Sequence, residues 1–398
     1  MEILKEIKPS KIEEAKIKKI VKDFLDRLNR RLDKAKAIAG GSYAKGTWLK
    51  GEHDIDIFVR FKEDEDSSKK LKLALKKGFK QVKELYGSRH YFQVRFKDID
   101  FEVVPVLEIK KAEEAINVTD VSFLHVEYVK KASAKLKDEI RLVKKFCKAN
   151  ELYGAETHIK GFSGYVLEIL VIYYGGFEKF IKWVSDWGDK VIIDPAKFYK
   201  GKNEILKSLN VSKRKGPLIL IDPVQKERNA SAAVNKEKFL KLKELCKIYD
   251  GDKSFFIKKE FNLEMLRDYF VFEINPLTGR KDVVGGKLLK AFEYMKRSLD
   301  KRGFHVLDSG WHWNKRAYFW FKCLEVLPEK EVHYGPFVKD GDNVERFKEK
   351  WKGYRLCKGK ERVYVVKERA FFDVEKYFEA LLKSVNVKQK VRFIKKVR

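Results

Sequence analysis

The stretch Gly40-Gly41-Ser42-Tyr43-Ala44-Lys45-Gly46-Thr47-Trp48, followed by Asp54-Ile55-Asp56-Ile57-Phe58-Val59-Arg60-Phe61, decides how this chain is read. Ile55–Phe61 reads as a β-strand. Asp54 and Asp56 stand two apart at its start, so their side chains share one face. Two carboxylates on one face repel each other, and a divalent cation bound between them relieves that repulsion. The Gly-Ser turn can bring backbone N–H groups and a hydroxyl close to a phosphate, and Lys45 adds a positive charge nearby. A third carboxylate is expected from a neighbouring strand. Asp98-Ile99-Asp100-Phe101-Glu102-Val103-Val104-Pro105 offers Asp100 and Glu102. Each piece alone is ordinary: Gly-Ser is usually just a turn, and Asp-x-Asp is often a solvated strand end.

In combination the pieces are more specific. Ser42, eleven intervening residues, Asp-x-Asp at the head of an apolar strand and a second acidic strand resemble the polymerase-β-like nucleotidyltransferases. Three carboxylates of that kind hold two metal ions for nucleotidyl transfer, and acidic residues embedded in an apolar strand are costly without such a partner. The wider pattern, Gly41-Ser42, Gly46-Thr47-Trp48, Gly51 and Asp54–Phe61, closely resembles the archaeal, class I CCA-adding enzymes. Val103-Val104-Pro105 after an acidic residue is similar to the family's third-carboxylate strand and selects Glu102 over Asp100. Further blocks resemble the same family: Asp120 with His125, Arg141–Phe146, Tyr153-Gly154-Ala155-Glu156, Gly161–Tyr165 with Glu168, and Asp222-Pro223 with Arg228-Asn229-Ala230. Gly335-Pro336 and Asn343–Phe347 match a weaker C-terminal block.

The resemblance implies template-independent addition of C, C and A to the 3′ end of tRNA from CTP and ATP. It implies that Asp54, Asp56 and Glu102 are catalytic and hold two Mg²⁺ ions. Gly41, Ser42 and Lys45 would meet the triphosphate, His125, Lys144 and Tyr153 would complete the nucleotide site, and Arg228 would help read the incoming base. The RNA partner would be engaged at its acceptor stem and 3′ end. A poly(A) polymerase, an oligoadenylate-synthetase-like enzyme and an inactive RNA-binding relative are the alternatives. The chain departs from the family in having Lys45 where arginine is common, which loses bidentate geometry. It also carries Asp, Asp and Glu where relatives often place Glu first and Asp last. On residue type alone, Lys144 reads as a solvated lysine on a basic helical face, His125 as a packed histidine and Tyr153 as a core aromatic. Glu168, inside an apolar helix, reads as a structural acid that pairs with something at a domain interface.

The rest of the chain agrees with a polyanionic partner. Of 398 residues, Lys+Arg make 89 and Asp+Glu 59, leaving a net charge of +30. That imbalance points to nucleic acid. At 44% hydrophobic and 13% aromatic, the chain can bury real cores, which excludes global disorder. Runs such as Lys76-Lys77, Lys213-Arg214-Lys215 and Lys395-Lys396 are candidate RNA contacts. So is the aromatic-basic run Trp311–Tyr318, which reads equally well as a core strand. The four cysteines, Cys147, Cys246, Cys323 and Cys357, make no metal or disulfide pattern. Tyr165–Tyr174 is too short to span a bilayer and no signal-peptide pattern is present, so a cytoplasmic protein without a membrane partner is expected. The oligomeric state stays open, a homodimer being one option.

The fold class read from the pattern is α+β and multidomain. A polymerase-β-like nucleotidyltransferase head is expected over 1–135, a mainly helical central domain over 136–250 and an α/β C-terminal RNA-binding region over 251–398. Helices are expected over 12–37, 67–86, 136–149, 164–174, 177–184, 236–249, 286–302 and 374–384. Strands are expected over 55–61, 91–106, 270–274, 316–324 and 363–366.

Overall fold

The computed structural model describes residues 2–86 and 90–398. The chain forms two compact units, Met1–Lys259 and Glu260–Arg398. The first opens with α1 (Glu2–Ile7), α2 (Lys11–Asn29), β1 (Ala35–Ala39), α3 (Gly41–Lys45), β2 (Asp54–Phe61), α4 (Ser67–Gly78), β3 (Gln81–Tyr86), β4 (His90–Phe96) and β5 (Ile99–Leu107). The strands make one sheet in the order β1-β2-β5-β4-β3. β2 and β5 run parallel, and the remaining neighbours are antiparallel. Ser10 caps α2 by accepting the Glu13 N–H. The apolar stripe of α2 (Ile17, Ile20, Val21, Phe24, Leu28) packs with Leu71, Ala74 and Leu75 of α4 onto one face of the sheet. Phe24 anchors that layer, stacked on Phe101 at 4.0 Å and Phe79 at 4.4 Å. Truncating such a ring costs about 3–5 kcal/mol.

Two expected helices are shorter than their patterns suggest. The helix expected over 12–37 ends at Asn29, whose side-chain amide accepts the Ala37 N–H at 2.8 Å and donates to the Ala37 carbonyl at 3.1 Å. Asn29 thereby fixes Ala37 as part of β1. The helix expected over 67–86 stops at Gly78. Phe79 turns into the core, and residues 81–86 pair with β4 as a strand. The Gly-Ser turn is the start of the short helix α3, entered from Gly40 and closed by Gly46 in the left-handed conformation.

The rest of the first unit holds α5 (Ser122–Ala132), α6 (Lys137–Ala149), α7 (Gly164–Tyr174), α8 (Phe177–Ser185), β6 (Val191–Ile193), α9 (Lys202–Ser208), β7 (Leu218–Leu220) and α10 (Lys236–Ile248). α5, β6, α9 and β7 were not expected from the pattern. β6 and β7 pair in parallel. α7 is bounded by Ser163, which accepts the Val166 N–H, and by Gly175 at φ 83. A core of Phe146, Val166, Leu170, Phe177, Phe180 and Phe239 holds these helices together, and Ile3 and Ile7 of α1 are part of it. Arg141 on α6 donates to the Gly46 carbonyl at 2.7 Å and the Trp48 carbonyl at 3.0 Å, tying the helical part to the segment after α3.

The second unit holds β8 (Phe270–Asn275), α11 (Lys281–Arg302), β9 (Val306–Trp313), β10 (Ala317–Cys323), β11 (Lys330–Phe337), α12 (Gly341–Lys350), β12 (Leu356–Lys358), β13 (Arg362–Glu368), α13 (Val374–Lys383), α14 (Val385–Lys388) and β14 (Phe393–Lys396). Its sheets are β14-β8-β10-β9 and β11-β13-β12. The aromatic-basic run Trp311–Tyr318 spans the β9–β10 hairpin: Trp311–Trp313 end β9, residues 314–316 turn, and Ala317 and Tyr318 begin β10. Phe261 stacks on His312 at 4.5 Å and on Trp320 at 5.5 Å, so these aromatics pack on a protein side chain. Among the described residues no helix is long and apolar enough to cross a membrane.

Candidate active site

The parallel pairing of β2 with β5 sets the site. Its register places Asp54 opposite Asp100 and Asp56 opposite Glu102, while Ile55 and Ile57 face the core beside Phe101 and Val103. Four acidic positions therefore occupy one face of two adjacent strands. Asp100 is engaged by Arg95, which donates to its Oδ2 at 2.8 Å. Among the described residues, the side chains of Asp54 and Asp56 make no hydrogen bond or ion pair. Burial pushes Asp56 up to about 6, with the Asp54 charge adding to that; Lys45 and Lys144 oppose it. A carboxylate held in that state is stabilised by a cation, and the oxygen donors present suit a hard one. No three His, Cys, Asp or Glu side chains among the described residues stand close enough to cage a metal.

Gly41 explains how α3 reaches this site. It has φ +54, and a Cβ there would sit 1.6 Å from Asp56 Oδ2. Only glycine lets the α3 backbone lie against that carboxylate. Ser42 follows at once and is half-buried.

Lys45 and Lys144 converge from α3 and α6 on one buried acid of α7. Lys45 Nζ donates to Glu168 Oε2 at 2.8 Å and Lys144 Nζ to Glu168 Oε1 at 2.7 Å. Thr47 donates to Glu168 Oε1 at 2.7 Å and accepts from Lys144 at 2.9 Å. Lys144 is 3% exposed, so its reading as a solvated helix lysine is wrong: it points into the interface between α6, α7 and the α3 segment. Burial works to raise Glu168, but the two lysines hold it down at about 2. Burial pushes Lys144 below its ordinary value, and Glu168 opposes that shift. Glu168 is thus the paired acid that its place in an apolar helix suggested, and it joins the sheet-bearing and helical parts of this unit. Tyr153 stands beside the same group; a Cβ on Gly164 would meet its hydroxyl at 2.6 Å and Lys144 Cε at 3.6 Å. Burial, then the Glu168, Glu52, Glu156 and Asp56 charges, push the Tyr153 hydroxyl well above its ordinary range.

A second acid gathers the remaining candidates. Asp222, fully buried, forms an ion pair with Arg228, accepts the Tyr165 hydroxyl at 2.9 Å and lies 3.1 Å from His125 Nε2. Burial would raise Asp222, but His125, Arg228 and the Val224 N–H bring it to about 2. Burial pushes His125 below its usual range, and Asp222 works against that shift. His125 stacks on Tyr165 at 4.1 Å, and Lys45 Nζ lies 5.1 Å from the Tyr165 ring centroid. Lys45 therefore touches both groups. Sequence reasoning placed Asp222 only in a family block; its role as a hub was missed. Tyr165 and Thr47 were missed as partners, and neither has a local signal.

A nucleotidyltransferase-domain family profile matches residues 17–141. The second domain of tRNA nucleotidyltransferases matches 138–257, and the C-terminal domain of CCA-adding enzymes matches 271–397. A CCA-adding enzyme of Nanoarchaeum equitans is 31% identical over 375 residues, covering 93% of this chain and 94% of that protein. One of Sulfurisphaera tokodaii is 33% identical over 390 residues, covering 92% and 89%. Among solved structures, a cytoplasmic RNA terminal U-transferase aligns with TM-score 0.50 at 17% identity, covering 66% of this chain and 97% of that one. That likeness concerns the fold alone.

Proposed function

This chain belongs to the archaeal family of CCA-adding enzymes, and on that premise we propose that Asp54, Asp56 and Glu102 are its catalytic carboxylates and hold Mg²⁺ while C, C and A are joined to tRNA. The family's reaction uses divalent metals, CTP, ATP and tRNA. The oxygen of the terminal ribose hydroxyl bonds to the α-phosphorus as its proton passes to solvent, the bond from that phosphorus to the bridging oxygen breaks, and pyrophosphate leaves. When bound, the cations lower the pKa of that hydroxyl and offset the charge of the leaving group. The observation that carries the reading is the register of β2 on β5, which sets Asp56 beside Glu102 with the backbone of Gly41 against Asp56.

The other residues divide the work of holding the nucleotide. Lys45 and Lys144 supply positive charge within electrostatic reach of Asp56, where a triphosphate would lie. Gly41 lies against Asp56, and Ser42 beside it would offer its hydroxyl to the same triphosphate. Tyr153 stays protonated throughout the working pH range and can only donate to an anion through its hydroxyl. Arg228, anchored by Asp222 with its side chain 30% exposed, presents its free guanidinium edge to a base. His125 holds the other side of Asp222, with Nε2 at 3.1 Å from its Oδ2. Domain limits of 1–135, 136–250 and 251–398 remain our proposal for the functional division.

The test uses purified protein, Mg²⁺ and a tRNA transcript lacking its last three nucleotides. Two additions with CTP alone, three with CTP and ATP, and then a stop are expected on a sequencing gel. A long ladder with ATP alone would move the chain to poly(A) synthesis. No extension under any condition would leave an RNA-binding relative without activity.

A further inference from the structure

The face that carries the carboxylates continues across the sheet. Glu102 lies opposite Gln93 on β4, which lies opposite Lys83 on β3. In the next row Asp100 lies opposite Arg95, which lies opposite Gln81. Beyond Gln81 and Arg95 the corner of the sheet opens into a cleft of about 850 Å³, lined by Arg27, Lys76, Lys77, Lys80, Arg95 and Lys97. Asp98 is the carboxylate in its lining. Two of the six cations are held by acids: Arg95 by Asp100 at 2.8 Å and Lys97 by Asp23 at 2.6 Å. Arg27 and Lys97 lie over the Phe96 ring at 5.2 and 5.4 Å, which fixes them at the mouth. Lys76, Lys77 and Lys80 are exposed and form no ion pair among the described residues.

A structural reason exists for part of this. Lysines in the last turn of α4 complement its dipole, which accounts for Lys76 and Lys77. It does not account for Lys80 after the helix, Arg27 from α2 and Arg95 from β4 converging on the same hollow. Like charges around a concave wall raise its potential and draw in a polyanion. We propose that this cleft is a docking site for RNA backbone phosphates, taking the acceptor-end strand of the tRNA as it trails away from the reacting terminus across β4 and β3. The proposal rests on the assignment of Glu102 to the catalytic centre. From β5 to β3 is two strand spacings, about 10 Å, which is roughly three stacked nucleotides at about 3.4 Å each. The cleft therefore meets phosphates that precede the terminal triplet, and the incoming nucleotide lies outside it.

The experiment compares wild-type enzyme with Lys76→Ala/Lys77→Ala/Lys80→Ala. All three side chains are solvent-exposed, so an unchanged melting curve is the control for folding. A second triple variant, Lys179→Ala/Lys182→Ala/Lys247→Ala, removes the same charge elsewhere on the unit. Binding of tRNA lacking CCA is measured across salt concentrations, and steady-state kinetics are measured for tRNA and for CTP. The cleft variant should raise the KM for tRNA at least about tenfold and lower the slope of log affinity against log salt by about 2 to 3. Its KM for CTP should stay within twofold. An unchanged salt slope, an equal loss in the second variant, or a matching rise in the KM for CTP would each overturn the proposal. Failure of the functional reading shows separately, as absence of C and A addition by the wild-type enzyme, because the salt slope is read by binding alone.

Discussion

Replacing Glu168 by glutamine keeps the volume of the side chain and removes its charge, leaving Lys45 and Lys144 facing each other across a site that is 1% exposed. Glu168 is held at about 2 against an ordinary value of 4.5. At about 1.4 kcal/mol per pKa unit, that linkage is worth roughly 3 kcal/mol. Breaking a buried ion pair by removing one partner costs about 3–5 kcal/mol, so the two routes agree. A folded-state value depressed below the unfolded one contributes stability above about pH 4.5, and the contribution fades as the pH falls toward 2. Because the chain has two units, a single unfolding midpoint would blur the effect. Amide hydrogen exchange at pH 7 resolves it by element. Glu168→Gln should speed exchange in α6 and α7 by roughly a hundredfold and leave β8, β10 and α11 unchanged. The KM for CTP should rise as well, because both lysines lose their fixed direction. A tenfold or smaller change in α6 and α7, or an equal change in both units, would refute the account of Glu168 as the counter-charge joining them.

Three further outcomes follow from the site. Gly41→Ala puts a methyl where Asp56 Oδ2 lies and strains a left-handed residue, so it should abolish nucleotide incorporation; tRNA binding measured by filter retention should persist. Asp56, buried and raised to about 6, lowers folding stability as the pH climbs from about 4 through 6. Mg²⁺ should therefore raise the melting temperature of the first unit more at pH 7.5 than at pH 5, and an equal shift at both would remove Asp56 from the metal site. Asp222→Asn removes the charge that holds Arg228, so the ratio of kcat/KM for the correct nucleotide over the wrong one should fall by more than overall tRNA affinity does. Equal losses would make Arg228 a phosphate contact.

The motif around Asp54 was legible because everything it needs is local: a short apolar strand, two acids at period 2 and a glycine-serine turn. Glu102 could be chosen over Asp100 from the sequence only by resemblance. In the structure Asp100 is engaged by Arg95 from the adjacent strand. The Glu168 cluster was half legible. A carboxylate in the apolar run Val166–Val171 demands a partner, but Lys45, Thr47 and Lys144 come from elements more than twenty residues away, and nothing local marks them. Lys144 was misread because a lysine between other lysines carries no sign of burial. The two helices that ran too long failed for a related reason. Lys, Ala and Glu around 33–37 and 80–84 suit a helix, and tertiary pairing overrode that preference. In the second unit, β11 exposes Val332, Tyr334 and Phe337 beside Lys330 and His333, and β12 is three residues long, so neither has a buried apolar alternation to announce it.

The placement of α1 bears on the order in which the protein is made. Ile3 and Ile7 share a core with residues as distant as Phe256, and Lys253 pairs with Glu6 at 2.5 Å. At about 5–20 residues per second, translation reaches that point on the order of 10 to 50 seconds after α1 has emerged. Until then α1 can pack on α6, where Lys8 pairs with Asp138 at 2.8 Å, but not on the Phe256 side of its core, although the sheet beside it can already form. The catalytic sheet is thus free to fold co-translationally, whereas the helical core closes only when the first helix is recaptured by the nascent chain's later segments. A ribosome stalled before residue 137 should hold a formed sheet with α1 still open to chaperones, and one stalled before residue 256 should hold α1 already on α6.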